Sequence, residues 1–248
     1  MCDDCKTDNA KIGRRRLFGL GAAGLATAVA TVIAPRAAQA ACAPFTKDMQ
    51  GDMTPDQALA ELVAGNQRFL EGTSLVCDER VNLSATAGGQ TPFACVLGCI
   101  DSRAAPEFVF DQQIGDIFVA RVAGNVATPE ILGSFEYATK VAGAKLILVL
   151  GHSHCGAVKG AIDKAVVGDQ LTALLNEIEP AVAAAGEHGE RSSANHELVE
   201  MVAEENVKLA VAALTEKSSL IRDLVASGAV KVAGGLFDLD TGKVHIVA

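Results

Sequence analysis

Three short apolar runs, at 93–98, 116–121 and 145–150, constrain this chain more than any other feature. Each has the length of a strand, and each is followed by a segment carrying helix signals. Strands that are apolar on both faces need cover on both, and strands separated by helices pair in parallel. Residues 230–236 and 244–247 read as closing strands around an Asp240-Thr241-Gly242 turn, which adds an antiparallel edge. The expected fold is therefore α/β, a single domain with a mostly parallel β-sheet and an antiparallel edge strand, flanked by helices. Half of the 248 residues are hydrophobic, ample for one core. With nine Phe, one Tyr and no Trp, that core must come from Ala, Val, Leu, Ile and Phe.

The helix signals are specific at several points. Thr54-Pro55-Asp56-Gln57 combines an N-cap, a proline at the first helical position and a capping-box Gln. Leu59, Leu62, Val63, Phe69 and Leu70 then fall near one face. Residues 106–111 read as a short helical stretch, and Thr128-Pro129-Glu130 opens a helix to about Val141. Further helices are expected from Gly156 and near 168–185, 195–215 and 218–226.

The first forty residues differ from the rest. Arg14-Arg15-Arg16-Leu17-Phe18 precedes a moderately apolar, Gly- and Ala-rich run, then Pro35, Arg36 and the small-residue site Ala38-Gln39-Ala40. This reads as a signal peptide, cleaved after Ala40, and Arg15-Arg16-Leu17-Phe18 resembles the twin-arginine pattern. The expected location is periplasmic or exported, with no membrane attachment after cleavage. An uncleaved anchor is the alternative, although residues 19–34 fall short of the roughly 20 that a spanning helix needs. The organisation read from the sequence is a signal peptide at 1–40, a linker at 41–53 and one domain at 54–248. The leader holds six basic and three acidic residues, so the chain's net charge of −9 becomes −12 for the remainder. An acidic body of this kind argues against nucleic acid as a partner.

The seven cysteines separate by context. Cys2 and Cys5 form a CxxC within the expected leader. Cys42 and Cys77 are candidates for a disulfide in an oxidising compartment, though sequence does not show their proximity. Cys95 sits inside an apolar run and reads as a buried strand residue.

Cys99 and Cys155 belong to two motifs at the carboxyl ends of expected strands, Gly98-Cys99-Ile100-Asp101-Ser102-Arg103 and Gly151-His152-Ser153-His154-Cys155-Gly156. Sites in open parallel sheets form outside such ends. His152 and Cys155, three residues apart in a strand-to-helix turn, can reach one ion, and Cys99 can arrive from a second strand. Two thiolates and one imidazole form a set that zinc takes in catalytic sites with a fourth position open. Structural zinc sites close with four ligands, and His154 is the weak candidate for a fourth. Asp101 can be a fourth ligand or accept from solvent at the metal, and Arg103 can pair with it fork to fork.

These residues resemble the β-class carbonic anhydrases of the plant-like type. Cys99-Ile100-Asp101-Ser102-Arg103 is similar to that family's CxDxR motif and His152-Ser153-His154-Cys155 to its HxxC motif. Gly115-Asp116-Ile117-Phe118-Val119-Ala120-Arg121-Val122-Ala123-Gly124-Asn125 and Gly133-Ser134-Phe135-Glu136-Tyr137-Ala138 are similar to intervening segments. The resemblance implies Zn2+ on Cys99, His152 and Cys155, and a catalytic Asp101–Arg103 dyad. It also implies Gln90 orienting substrate, Tyr137 at the active site and Phe118 as an apolar wall. The implied reaction is reversible hydration of carbon dioxide to bicarbonate and a proton by zinc-bound hydroxide, a carbonate dehydratase (lyase) activity. The implied assembly is a homodimer or higher homo-oligomer with the site near the subunit boundary and the helix at 54–71 on the partner. Two other readings stay open: a related zinc hydrolase acting on carbonyl sulfide or carbon disulfide, and a non-catalytic zinc protein that binds bicarbonate.

Overall fold

The computed structural model describes residues 42–186 and 189–248. The segment expected to be a twin-arginine signal, its expected cleavage point and the Cys2/Cys5 pair lie outside the described residues.

A short helix, α1 (Lys47–Asp52), falls within the stretch read as linker. Thr46 caps it by accepting the Met49 N–H, and its buried Gln50 donates Nε2 to the carbonyls of Pro92 at 2.7 Å and Ala142 at 2.9 Å. One polar side chain thus holds this helix to the main body, a contact that no apolar pattern announces. Helix α2 (Pro55–Glu71) has the expected capping box on Thr54 and Gln57 and ends at Gly72, whose φ is +66°. Its inward face differs from the one expected. Ala58, Leu62, Gly65 and Asn66 are buried, whereas Val63, Phe69 and Leu70 are exposed. The Phe110 carbonyl lies so close to Gly65 that a Cβ there would sit 1.8 Å from its oxygen, which turns the glycine side of the helix inward. Helix α3 (Glu79–Thr86), capped by Asp78, was not visible in the sequence because Asn82 is its sole buried residue.

The alternating part follows: β1 (Ala94–Gly98), α4 (Pro106–Val109), β2 (Ile117–Arg121), a tight turn at Ala123–Asn125, α5 (Pro129–Glu136), and a π-helical turn at Tyr137–Val141. Then come β3 (Leu146–His152), α6 (Gly156–Ile162), α7 (Asp169–Asn176), α8 (Glu179–Ala184), α9 (His196–Lys217), α10 (Ser219–Ala226), β4 (Lys231–Phe237) and β5 (Val244–Ile246). The sheet order is β2-β1-β3-β4-β5. The first four strands are parallel and β5 pairs antiparallel with β4, as expected.

β1 and β3 are buried along their whole lengths. Alternate residues serve opposite layers, as the two-residue period of a strand requires. Val96, Leu146 and Leu148 pack with Leu62 and Phe110 on one face, while Cys95, Leu97, Ile147 and Val149 pack with Phe135, Val207 and Leu214 on the other. Cys95 is fully buried, and burial pushes its thiol far above the usual range. Helix α9 lies close against the sheet because β3 and β4 present glycine to it. A Cβ on Gly151 would stand 2.5 Å from Val207 Cγ2, and one on Gly234 would stand 2.6 Å from Val207 Cγ1.

Cys42 and Cys77 are joined in a disulfide, their Cα atoms 5.5 Å apart, which ties the start of the described chain to the segment between α2 and α3. Among the described residues no helix is long and apolar enough to cross a membrane.

Candidate metal centre

The parallel register of β1 and β3 pairs Gly98 with Leu150. Cys99 therefore leaves its strand beside the end of β3, where His152 is the last strand residue and Cys155 precedes α6. One ligand atom from each of Cys99, His152 and Cys155 lies within 4.8 Å of the other two. All three side chains are buried, at 5 %, 1 % and 1 % exposure.

His152 shows how the site fits a cation. Its Nδ1 lies 2.8 Å from the carbonyl of Ser153, and a carbonyl can only accept, so the ring proton belongs on Nδ1. Nε2 is then a bare lone pair, buried without a protein partner. An unpaired buried acceptor of this kind is costly unless something electropositive meets it. Two thiol sulfurs converge on the same point, and the set of soft and borderline donors suits zinc rather than magnesium or calcium.

The two sulfurs lie near enough to influence each other, within 4.8 Å. The neighbouring Cys155 is the main cause that holds the Cys99 thiol well below its ordinary pKa, helped by backbone N–H groups and against the opposing effect of burial. The proximity of Cys99 and its own burial push the Cys155 thiol up. Cys99 Sγ also accepts the Gly124 N–H at 3.4 Å. His154, the weak candidate for a fourth ligand, is turned elsewhere. Its backbone sits at φ +57°, its N–H donates to Glu200 at 2.9 Å, and its Nε2 is 3.0 Å from Asp240 Oδ2.

Asp101 stands at the mouth of the trio, with Oδ2 3.9 Å from His152 Nε2. Arg103 donates Nε to Oδ1 at 3.0 Å and Nη2 to Oδ2 at 2.8 Å, and its backbone N–H also reaches Oδ1. These bonds hold the Asp101 carboxyl far below the usual carboxylate range, outweighing its partial burial. Arg121, a residue that sequence reasoning assigned no role, ties the same loop from below. It donates Nε to the Cys99 carbonyl at 2.8 Å and Nη2 to that of Asp101 at 2.5 Å.

Gln90 and Tyr137 are not brought to this point within one chain. Gln90 is exposed in the loop before β1, beside Leu83, Thr86 and Ile114. Tyr137 is half-exposed, its ring 6.4 Å from that of Phe118. Phe118 is level with Cys95 in the sheet. At about 3.3 Å per residue, the four steps from Cys95 to Cys99 put roughly 13 Å between that level and the metal site. Gly124, Asn206 and Glu200 also support the ligand loops and were not singled out as functional. A buried glycine at positive φ and a buried polar residue on an otherwise apolar helix face leave no spacing pattern.

A family model described as carbonic anhydrase matches residues 94–244. The chain is 37% identical to carbonic anhydrase 2 of Mycobacterium tuberculosis over 197 residues, which cover 76% of this chain and 91% of that protein. Among solved structures it is similar to a tetrameric β-carbonic anhydrase of the ascomycete Sordaria macrospora, with TM-score 0.59 and 27% identity over 67% of this chain and 85% of that one. It is also similar to the β-carbonic anhydrase CcaA, with TM-score 0.61 and 26% identity over 76% and 94% of the two chains.

Proposed function

The chain belongs to the β-class carbonic anhydrases, and on that premise we propose that it interconverts carbon dioxide and bicarbonate with one zinc ion held by Cys99, His152 and Cys155. The observation that carries this reading is the meeting of two sulfurs and an unpartnered imidazole nitrogen beneath a carboxylate locked by an arginine. Zinc, when bound, would act as a Lewis acid that makes hydroxide available from water near neutral pH.

The chain's own residues do the rest. Asp101, kept ionised by Arg103, cannot donate a proton and so offers Oδ2 only as an acceptor. A reacting water hydrogen-bonded to that oxygen has its lone pair turned toward carbon. Val122 and Val126, packed beside the cysteines, keep the inner wall apolar, which suits an uncharged gas and excludes bulk water. Gln90 would orient a substrate oxygen, with Phe118 and Tyr137 as the outer wall. Because these three lie toward the far end of the strands from Cys99, a second copy of the chain supplies them, and the working unit is a homodimer or a higher homo-oligomer. The tetrameric state of the Sordaria macrospora relatives supports that reading.

Export by the twin-arginine route to the periplasm is part of the proposal. The Cys42–Cys77 disulfide supports it, because such bonds persist in oxidising compartments, and Cys42 lies just beyond the expected cleavage point.

The test is stopped-flow hydration of carbon dioxide on the mature protein with zinc quantified per chain. Stoichiometric zinc with rapid hydration, and no turnover of carbon disulfide, is the expected result. Metal-free protein, or zinc-loaded protein inert toward carbon dioxide, would sink the reading.

A further inference from the structure

We infer that Asn206 is a positioning residue for the metal, acting on the Cys99 thiolate through the backbone of Gly124. The inference rests on the zinc reading above and goes beyond it, because Asn206 touches neither the ligands nor the substrate side of the site.

Asn206 is 4 % exposed and points from α9 into the packing between that helix and the sheet. Its Nδ2 donates to the Gly124 carbonyl at 2.7 Å. Gly124 in turn donates its N–H to Cys99 Sγ at 3.4 Å. The turn that makes this possible is of a kind most residues avoid. Gly124 has φ +70° and Asn125 has φ +44°, two successive residues in the left-handed region. A side chain on Gly124 would also collide with Ile178, whose Cδ1 would lie 2.5 Å from the added Cβ. Such a turn persists only when its surroundings hold it. The Asn206 amide is the side-chain group that grips its carbonyl.

The consequence for the metal is electrostatic as well as geometric. A thiolate that accepts an N–H passes less charge to its ion and has its lone pairs fixed in direction. Hydrogen bonds one step outside the ligands typically change metal affinity or activity 10- to 100-fold when removed. The helix that carries Asn206 also packs Val207 on Gly151, one residue before His152, so the same element seats the strand that carries His152.

The experiment compares wild type with Asn206→Asp, which keeps the shape but turns the donor into an acceptor facing the Gly124 carbonyl. Leu214→Ala, also buried on α9 but two turns away, serves as the control for simple loss of stability. Zinc affinity is measured by chelator competition, and thiolate-to-metal charge transfer is read in the cobalt-substituted proteins. Asn206→Asp is expected to weaken zinc binding at least 10-fold and to shift the charge-transfer band, while Leu214→Ala lowers the melting temperature with both readouts unmoved. Wild-type affinity and an unshifted band in Asn206→Asp overturn the inference, as does an equal loss of affinity in Leu214→Ala. If Asn206→Asp does not fold, wild-type protein labelled at glycine nitrogen and loaded with a spin-active cadmium isotope decides the matter. The Gly124 amide proton should couple to cadmium through the sulfur, and absence of coupling overturns the inference. Wild-type protein that binds no zinc at all would instead remove the metal reading itself.

Discussion

Arg103 and Asp101 face each other fork to fork, with Nε 3.0 Å from Oδ1 and Nη2 2.8 Å from Oδ2. Neither residue is a member of the ligand trio, so the pair separates metal binding from catalysis. Arg103→Ala should keep stoichiometric zinc and lose about a hundredfold or more in carbon dioxide hydration, the scale of a well-placed acid–base group. Arg103→Lys should fall nearly as far, because an ammonium cannot make both bonds at once. Zinc analysis beside stopped-flow kinetics checks both outcomes. Loss of zinc in either variant would contradict this division of labour.

Removing a ligand should have a different signature. Cys99→Ala and His152→Ala should lose metal and activity together. Extracting the metal from wild type should lower the melting temperature, since a ligand that binds the folded state at 100 times its Kd adds about 2.7 kcal/mol of stability. Calorimetry with and without a chelator measures this, and an unchanged transition would mean that no ion is bound at rest.

The Cys42–Cys77 disulfide closes a loop with a sequence separation of 35 residues. Loop-closure entropy for such a length is roughly 4 kcal/mol. Reduction, or the paired change of Cys42 and Cys77 to serine, should therefore lower the melting temperature by several degrees, at most about 15 °C for a chain of this size. The metal site should remain, because the trio uses other cysteines. Thermal unfolding with and without reductant, followed by zinc analysis, tests both halves of the expectation.

Asp116 provides a pH dependence away from the metal. It is buried, and one carboxylate oxygen accepts the Gln113 N–H at 2.9 Å. Burial is the main cause that raises its pKa from 3.8 to about 6, with Glu79 and Glu61 adding to the effect. The folded state holds this proton more tightly than the unfolded state, so the contribution is fully present below about pH 4. It is lost as pH rises to about 6 and is level above that, a span of no more than about 3 kcal/mol. Asp116→Asn should flatten stability across that window in chemical denaturation. A wild-type curve that rises with pH through the same window, and is unchanged in the variant, would contradict the assignment.

Gly151→Ala tests the contact between α9 and the sheet. The added methyl would meet Val207 at 2.5 Å, and overpacking of this kind costs about 1–3 kcal/mol. A drop in stability with weaker zinc binding is expected, because His152 is the next residue. Denaturation midpoints and chelator competition measure the two effects.

Helix α3, the inward face of α2 and the seating of α1 were not legible in the sequence, each for a physical reason. α3 buries one polar residue, so it has no apolar stripe to read. The orientation of α2 depends on a backbone carbonyl approaching Gly65, a contact set by a distant part of the chain. α1 is held by the two hydrogen bonds of Gln50 to carbonyls more than forty residues away.

The order of the strands along the chain, the buried character of β1 and β3, and the donor set Cys99, His152 and Cys155 were determined by the sequence alone. Those properties reside in local patterns: apolar runs of strand length, capping residues, and sulfur and imidazole at strand ends. Tertiary structure alone decided that β1 and β3 are neighbours in register, which brings the three donors together. It also decided which nitrogen of His152 is free, that Cys42 meets Cys77, and that Gln90 and Tyr137 stand apart from the metal within one chain. Each of these depends on the pairing and packing of residues far apart in the chain, and neither composition nor spacing records where such residues meet.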